Sequence, residues 1–219
     1  MSELIIYDCD GTLIDSERLV AKVCLAEIHA LGLTHWTMER YYAAFVGMPG
    51  DVGWSTVARE LGRDLGREFR DRVDDHIGAL FETELTPLPG VREAVTMIGG
   101  TRCVASSTAL GSLKANIVRA GLADLFGEHV FSASQVRRAK PAPDVFLFAA
   151  SQMGHDPKHC IVIEDSVPGV AAARRAGMTV IGYTGSSHEP QAMQPRLLQA
   201  GAVSVAGHMD HLPRLIRAL

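Results

Sequence analysis

The chain has 219 residues, 47% of them hydrophobic, enough to bury a sizeable core in one domain or in a domain carrying a modest insert. Its net charge is −4, with acidic and basic residues interspersed, which argues against charge-driven binding of nucleic acid or a membrane surface. The apolar runs are too short to span a bilayer, and no basic region leads into a long apolar segment at the N-terminus.

In chain order, the first expected element is a strand over Leu4–Tyr7, a short apolar run that delivers Asp8-Cys9-Asp10-Gly11-Thr12 into a turn. Residues i and i+2 of an extended segment face the same way, so Asp8 and Asp10 are placed to converge and Cys9 to face the core. A carboxylate pair of this kind suits cation binding, nucleophilic attack and proton transfer. Asp-Gly between apolar residues is equally a hairpin signal, and the fragment by itself leaves both readings open.

From about Ser16 to Leu85 the spacing is helical. Leu19, Val20, Val23, Cys24, Ile28 and Leu31 recur on one face ahead of Gly32, and Tyr41–Phe45, Val52–Leu61 and Phe69–Phe81 continue the pattern. Thr86-Pro87-Leu88-Pro89-Gly90 is the expected return linker. Further strands are expected at Cys103–Ala105, Val130–Phe131, Ile161–Ile163 and Val180–Gly182, alternating with helices at Leu110–Ala120, Asp144–Gln152 and Pro168–Ala176. Apolar strands separated by helices imply an α/β fold, a doubly wound parallel sheet covered on both faces. Gly121 and Gly177 stand where helices should stop. The expected organisation is a core of residues 1–15 and 86–219, with an all-helical domain of residues 16–85 inserted after the first strand.

Ligands of open α/β sheets bind at the carboxyl ends of the strands, and polar residues gather at those ends. Ser106-Ser107-Thr108 follows Cys103–Ala105, where a hydroxyl could bind a phosphate oxygen or simply cap the next helix. Lys140 lies in a proline-bounded loop whose backbone is restricted; it reads either as a solvated charge or as a directed one. Asp144 reads as a helix N-cap. Glu164-Asp165-Ser166 ends the strand Ile161–Ile163, with Asp165 and Ser166 as candidate caps and Pro168 in the first turn.

Taken in order, the acidic pair, the hydroxyl, the lysine and the second acidic pair resemble the four motifs of the haloacid dehalogenase superfamily, and the resemblance covers essentially the whole chain. It implies a Rossmann-like core with a helical cap, of the type carried by β-phosphoglucomutases and sugar-phosphate phosphatases. It also implies that Asp8 is the nucleophile forming an aspartyl-phosphate and that Asp10 is the acid and base. Mg2+ would be held by Asp8, the Asp10 backbone, Glu164 and Asp165. Ser106, Ser107, Lys140, Gly11 and Thr12 would bind the phosphoryl group, with backbone N–H groups of Cys9, Gly11 and Ser107 assisting. Val46, Gly47 and Met48, in the Val46–Gly50 loop, would contact the substrate's leaving group. Asp10 argues against the metal-independent dehalogenases, and a cap whose lysine is Lys22 argues against the phosphonate-cleaving members. β-Phosphoglucomutases carry a cap histidine where this chain has Val20 and a cap arginine where it has Pro49, so hydrolysis of a small phosphomonoester, a sugar phosphate or phosphorylated sugar acid, is the expected reaction, with a mutase as the alternative. A receiver-like phosphorylation switch fits less well, because its acidic pair is contiguous and it lacks the helical insert; a metabolite-binding relative is the other non-enzymatic reading.

Glu17 and Arg138 are rim candidates that read equally as surface charges. His208-Met209-Asp210-His211 reads as capping the final helix, and His155 with His159 is interrupted by Pro157. Cys9, Cys24, Cys103 and Cys160 have no metal-site or disulfide spacing. The expected protein is cytoplasmic, with a small-molecule substrate and without nucleic-acid or membrane partners.

Overall fold

The computed structural model describes residues 3–45 and 50–219. The chain divides into two compact units, Met1–Asp15 with Thr86–Leu219, and Ser16–Leu85.

In the first unit, β1 (Leu4–Tyr7) enters directly from the N-terminal segment. The helical unit follows, with α1 (Ser16–Ala30), α2 (Met38–Phe45), α3 (Gly50–Leu61) and α4 (Gly66–Glu84). The chain then resumes as α5 (Val91–Ile98), β2 (Thr101–Ser106), α6 (Leu110–Arg119), α7 (Ala123–Phe126), β3 (Val130–Ser132), α8 (Asp144–Gln152) and β4 (Cys160–Glu164). It ends with α9 (Val167–Arg175), β5 (Thr179–Tyr183), α10 (Pro190–Ala200), β6 (Ser204–Ala206) and α11 (Leu212–Arg217).

The strands form one parallel sheet of order β3-β2-β1-β4-β5-β6. The five expected strands are all present, and β6 is an addition: Ser204-Val205-Ala206 is too short and too ordinary in composition to register as a strand until it pairs with β5. Burial explains the apolar runs. Leu4 and Ile6 face a core shared with Ala105, Phe146, Ala149, Val162, Val170 and Val180, whereas Tyr7 faces the other side and meets Phe126 edge-on at 5.8 Å. Gly121 and Gly177 follow α6 and α9 with φ of +67° and +79°, the left-handed geometry that ends a helix.

Two capping expectations are corrected. Asp144 is not an N-cap: Pro143 holds that position, and Asp144, the first helical residue, is instead gripped by Arg138 at 2.8 and 3.2 Å. Neither His208 nor His211 makes a side-chain capping bond; the two rings pack against one another edge-on at 5.4 Å. Ser166 does cap α9, accepting from the Gly169 N–H at 3.1 Å, with Pro168 in the first turn.

The helical unit has a core of its own. Cys24 and Ile28 of α1 pack with Trp36, Tyr41, Val57, Phe69 and Val73. Aromatic contacts run from Tyr41 through Phe45 and Trp54 to Phe69, with centroid separations of 4.5, 5.0 and 5.1 Å. Gly53 has no alternative here, since a Cβ on it would penetrate the Phe45 ring.

Among the described residues, the Tyr7 hydroxyl is the one buried side-chain polar atom without a hydrogen-bond partner. Burial, only partly offset by Arg102, raises its pKa well above the ordinary tyrosine range. Removing an unsatisfied buried hydroxyl removes its desolvation cost, so Tyr7→Phe is expected to raise stability by about 1 kcal/mol in urea denaturation. A marked loss would show that the hydroxyl is satisfied in solution.

Candidate active site

The strand order reverses around β1 and β4, the place where doubly wound sheets open a crevice at their carboxyl ends. Asp8 immediately follows β1, and its N–H donates to Ile163 O at 3.0 Å, which continues the ladder and fixes the residue against β4. Beyond it the chain turns sharply. The N–H groups of Thr12, Leu13 and Ile14 all donate to Cys9 O, and Gly11 takes a φ of +75° that a side chain would strain. A Cβ on Gly11 would also collide with the Asp165 carboxylate. Glycine is therefore needed both for the turn and for the close approach of β1's loop to β4's.

Lys140 ties this end of the sheet together. Its ammonium donates to Asp8 Oδ1 at 2.5 Å, to Glu164 Oε1 at 2.9 Å and to Ala105 O at 3.2 Å. It also lies 4.8 Å from the centroid of the buried Phe146 ring. The three charged side chains are 5%, 9% and 1% exposed for Lys140, Asp8 and Glu164. Burial by itself would discharge the lysine, but Asp8 and Glu164 outweigh it and hold its pKa above the usual value. Asp8 is pushed up to about 8 by burial, with Glu164 and Asp10 adding to the rise and Lys140 opposing it. The lysine stays charged, and the upward shift falls on Asp8.

Asp165 accepts from Thr12 Oγ1 at 3.1 Å. Glu164 accepts from Ser166 N–H at 2.6 Å and from Ser166 Oγ at 3.2 Å. Asp10 accepts at Oδ2 from Thr108 Oγ1 at 2.6 Å and more weakly from Ser106 Oγ at 3.4 Å. Asp8, Glu164 and Asp165 offer carboxylate oxygens that all lie within 4.8 Å of one another. A hard divalent cation fits this donor set. All the candidate ligands are oxygen, three carboxylates (Asp8, Glu164, Asp165) lie together while the Lys140 ammonium pairs with only two of them, and Gly169 lets the Glu164 carboxylate approach where a Cβ would intrude.

The remaining expected site residues are placed as follows. Ser106 is buried at the end of β2, accepting from Thr108 N–H at 3.0 Å. Ser107 is exposed. At the turn, the Gly11 N–H donates to Ile14 O, the Thr12 N–H to Cys9 O and the Thr12 hydroxyl to Asp165. Cys9 is fully buried, with its thiol pushed well up by burial and by Asp10 and Asp8, the state of a core residue and not of a nucleophile. Arg138 is occupied by Asp144, and Glu17 lies in the first turn of α1. Val46, Gly47 and Met48 lie outside the described residues, as does Pro49.

Two contributors escaped the sequence. Thr108 touches Asp10 directly, and its only signal was a hydroxyl two residues after Ser106. Ser186, in the loop after β5, donates to Gly11 O at 2.5 Å and braces the turn from 175 residues away in sequence; nothing local marks it. Because a methyl at position 169 would occupy the space of the Glu164 carboxylate, Gly169→Ala is expected to cost about 1–3 kcal/mol and to weaken divalent-cation binding. Thermal melts with and without Mg2+ check both; an unchanged Mg2+-induced shift would contradict the expectation.

Comparison with known proteins gives the family. Residues 3–177 match the model of the haloacid dehalogenase-like hydrolase family. The chain is 26% identical to the 6-phosphogluconate phosphatase of Escherichia coli K12, across 99% of this chain and 95% of that one. A haloacid dehalogenase family hydrolase from Deinococcus radiodurans, solved with bound phosphate and sodium, superposes with a TM-score of 0.86 at 30% identity, covering 99% of this chain and 96% of the other. A provisional β-phosphoglucomutase from Thermotoga maritima superposes with a TM-score of 0.82 at 26% identity, covering 99% of each chain. A crowded carboxylate site at the switch point of a parallel sheet, with a family match across most of the sequence, places the chain in the haloacid dehalogenase-like hydrolase family, as an enzyme of its phosphatase kind.

Proposed function

We propose that the protein is a Mg2+-dependent phosphatase that hydrolyses a small phosphorylated sugar or sugar acid through an aspartyl-phosphate on Asp8. The observation that carries the reading is the buried Lys140 bridge between Asp8 and Glu164, with Asp165 alongside and Asp10 held by hydroxyls. The relative that acts on 6-phosphogluconate supports the substrate class.

In this reading an Asp8 oxygen attacks phosphorus while the bond to the sugar oxygen breaks. Asp10 donates its proton to that leaving oxygen. Asp10, now a carboxylate, removes a proton from an incoming water, which attacks the same phosphorus. The bond to Asp8 breaks, inorganic phosphate leaves, and both aspartates return to their starting states. Lys140 offsets the repulsion between Asp8 and the anionic substrate, and Ser106 supplies a hydroxyl to a phosphoryl oxygen. Asp8, Glu164 and Asp165 would hold Mg2+, with Asp10 contributing its backbone carbonyl; the bound ion supplies positive charge to the phosphoryl oxygens.

The mutase alternative is disfavoured by Val20, which stands where mutases carry a histidine and is half-buried against the helical unit's own core. The four cysteines are free and buried, which supports a reducing, cytoplasmic setting. Among the described residues no helix is long and apolar enough to cross a membrane.

Purified protein with Mg2+ should release inorganic phosphate from members of a panel of sugar phosphates and phosphorylated sugar acids, and chelation should abolish the activity reversibly. Asp8→Asn should keep its circular dichroism spectrum while kcat falls by at least about 10³-fold. Turnover close to wild type in that variant would refute the assigned nucleophile, and conversion of glucose 1-phosphate to glucose 6-phosphate without phosphate release would favour the mutase.

A further inference from the structure

The hydroxyl of Thr108 sits at the end of a small, fully connected network. Ser132, buried at the end of β3, donates from Oγ to Thr108 O at 2.6 Å, and its own position is secured by a reciprocal bond set with Ser134 and Gln135. The Thr108 N–H donates to Ser106 Oγ at 3.0 Å. With both backbone groups occupied, the threonine side chain has little freedom to wander, and its Oγ1 donates to Asp10 Oδ2 at 2.6 Å. This contact is well inside the 3.4 Å of Ser106. The end of β2 and the loop after it therefore reach one carboxylate oxygen through Ser106 and Thr108, and β3 braces that loop through the Thr108 carbonyl.

We infer that Thr108 is a positioning residue that holds the Asp10 carboxylate by Oδ2 and so fixes its orientation toward the leaving group. The carboxylate is prevented from rotating, and a proton donor is effective only while it is aligned with the atom it serves. Ser132 acts one step further back, through the carbonyl it holds. The inference rests on the reading that Asp10 is the acid and base.

The test exploits the difference between leaving groups. A sugar phosphate releases an alkoxide that must be protonated as it departs, whereas p-nitrophenyl phosphate releases a phenolate that needs no proton. In Thr108→Val, rapid-mixing measurements should find the first turnover on a sugar phosphate slowed at least about tenfold, with KM within about twofold of wild type. The first turnover on p-nitrophenyl phosphate should stay near the wild-type rate, seen as a burst of about one nitrophenolate per site ahead of slow hydrolysis. Thr108→Ser, which keeps the donor, should restore both rates. Equal slowing with the two substrates, or a rise in KM with kcat unchanged, would overturn the assignment, and so would failure of the serine variant to recover. Asp10→Asn separates the two levels of the argument. If that variant discriminates between the leaving groups and Thr108→Val does not, the positioning role is wrong while the acid assignment stands. If Asp10→Asn itself shows no discrimination, the acid assignment fails first.

Discussion

Lys140 is the constraint around which the site is arranged. A buried ammonium with carboxylates on two sides is tolerable only when its geometry is close, because desolvating each ion costs several kcal/mol and only short, direct bonds return it. The bonds to Asp8 and Glu164 meet that requirement, and the carbonyl of Ala105 and the face of Phe146 occupy the remaining directions. Taking away one member of such a set typically costs about 3–5 kcal/mol, since the partner is left charged and buried. The lysine thereby holds together the ends of β1, β2 and β4, three strands that meet only in the folded chain.

Around this bridge, small and hydroxylated residues do work that larger ones would prevent. Gly11 and Gly169 each let a carboxylate approach the backbone where a Cβ would intrude. Thr12 and Ser166 then satisfy Asp165 and Glu164, so the acidic cluster is held by hydrogen bonds and not by packing alone. Four carboxylates and one ammonium still leave an excess of negative charge in a poorly solvated place. That excess is the physical reason the site suits a hard cation and an anionic group bound together, and it adds to the upward push that burial gives Asp8.

The helical unit is organised by different means. An aromatic chain fills its interior, and Glu60 gathers the surrounding loop by accepting from Trp36 Nε1 at 3.1 Å, His35 Nε2 at 2.5 Å and Arg40 at 2.6 Å. Arg40 also stacks on the Trp36 ring, 4.5 Å from its centroid. A second carboxylate, Glu27 of α1, takes bonds from Arg72 and His76 of α4 and links the two longest helices of the unit. These exposed pairs contribute little energy individually; the aromatic packing supplies most of the cohesion.

What the sequence determined by itself was local and ordered. Apolar runs between helical stretches marked five strands, and Asp8, Asp10, Ser106, Lys140, Glu164 and Asp165 all stood where strands should end, because burial on both faces writes itself directly into a run of Leu, Ile and Val. The capping of α9 by Ser166 was legible for the same reason, being an interaction between near neighbours. What only the tertiary structure decided depends on partners distant in the chain. Asp144 looked like a cap until Arg138 claimed it, and the Thr12 hydroxyl found its acceptor in Asp165, 153 residues further along the chain. β6 exists because β5 is beside it, and Ser186 matters because the fold carries it to Gly11. A hydroxyl's single donor has no preferred partner in a linear sequence; it acquires one only when the sheet brings an acceptor within 3 Å.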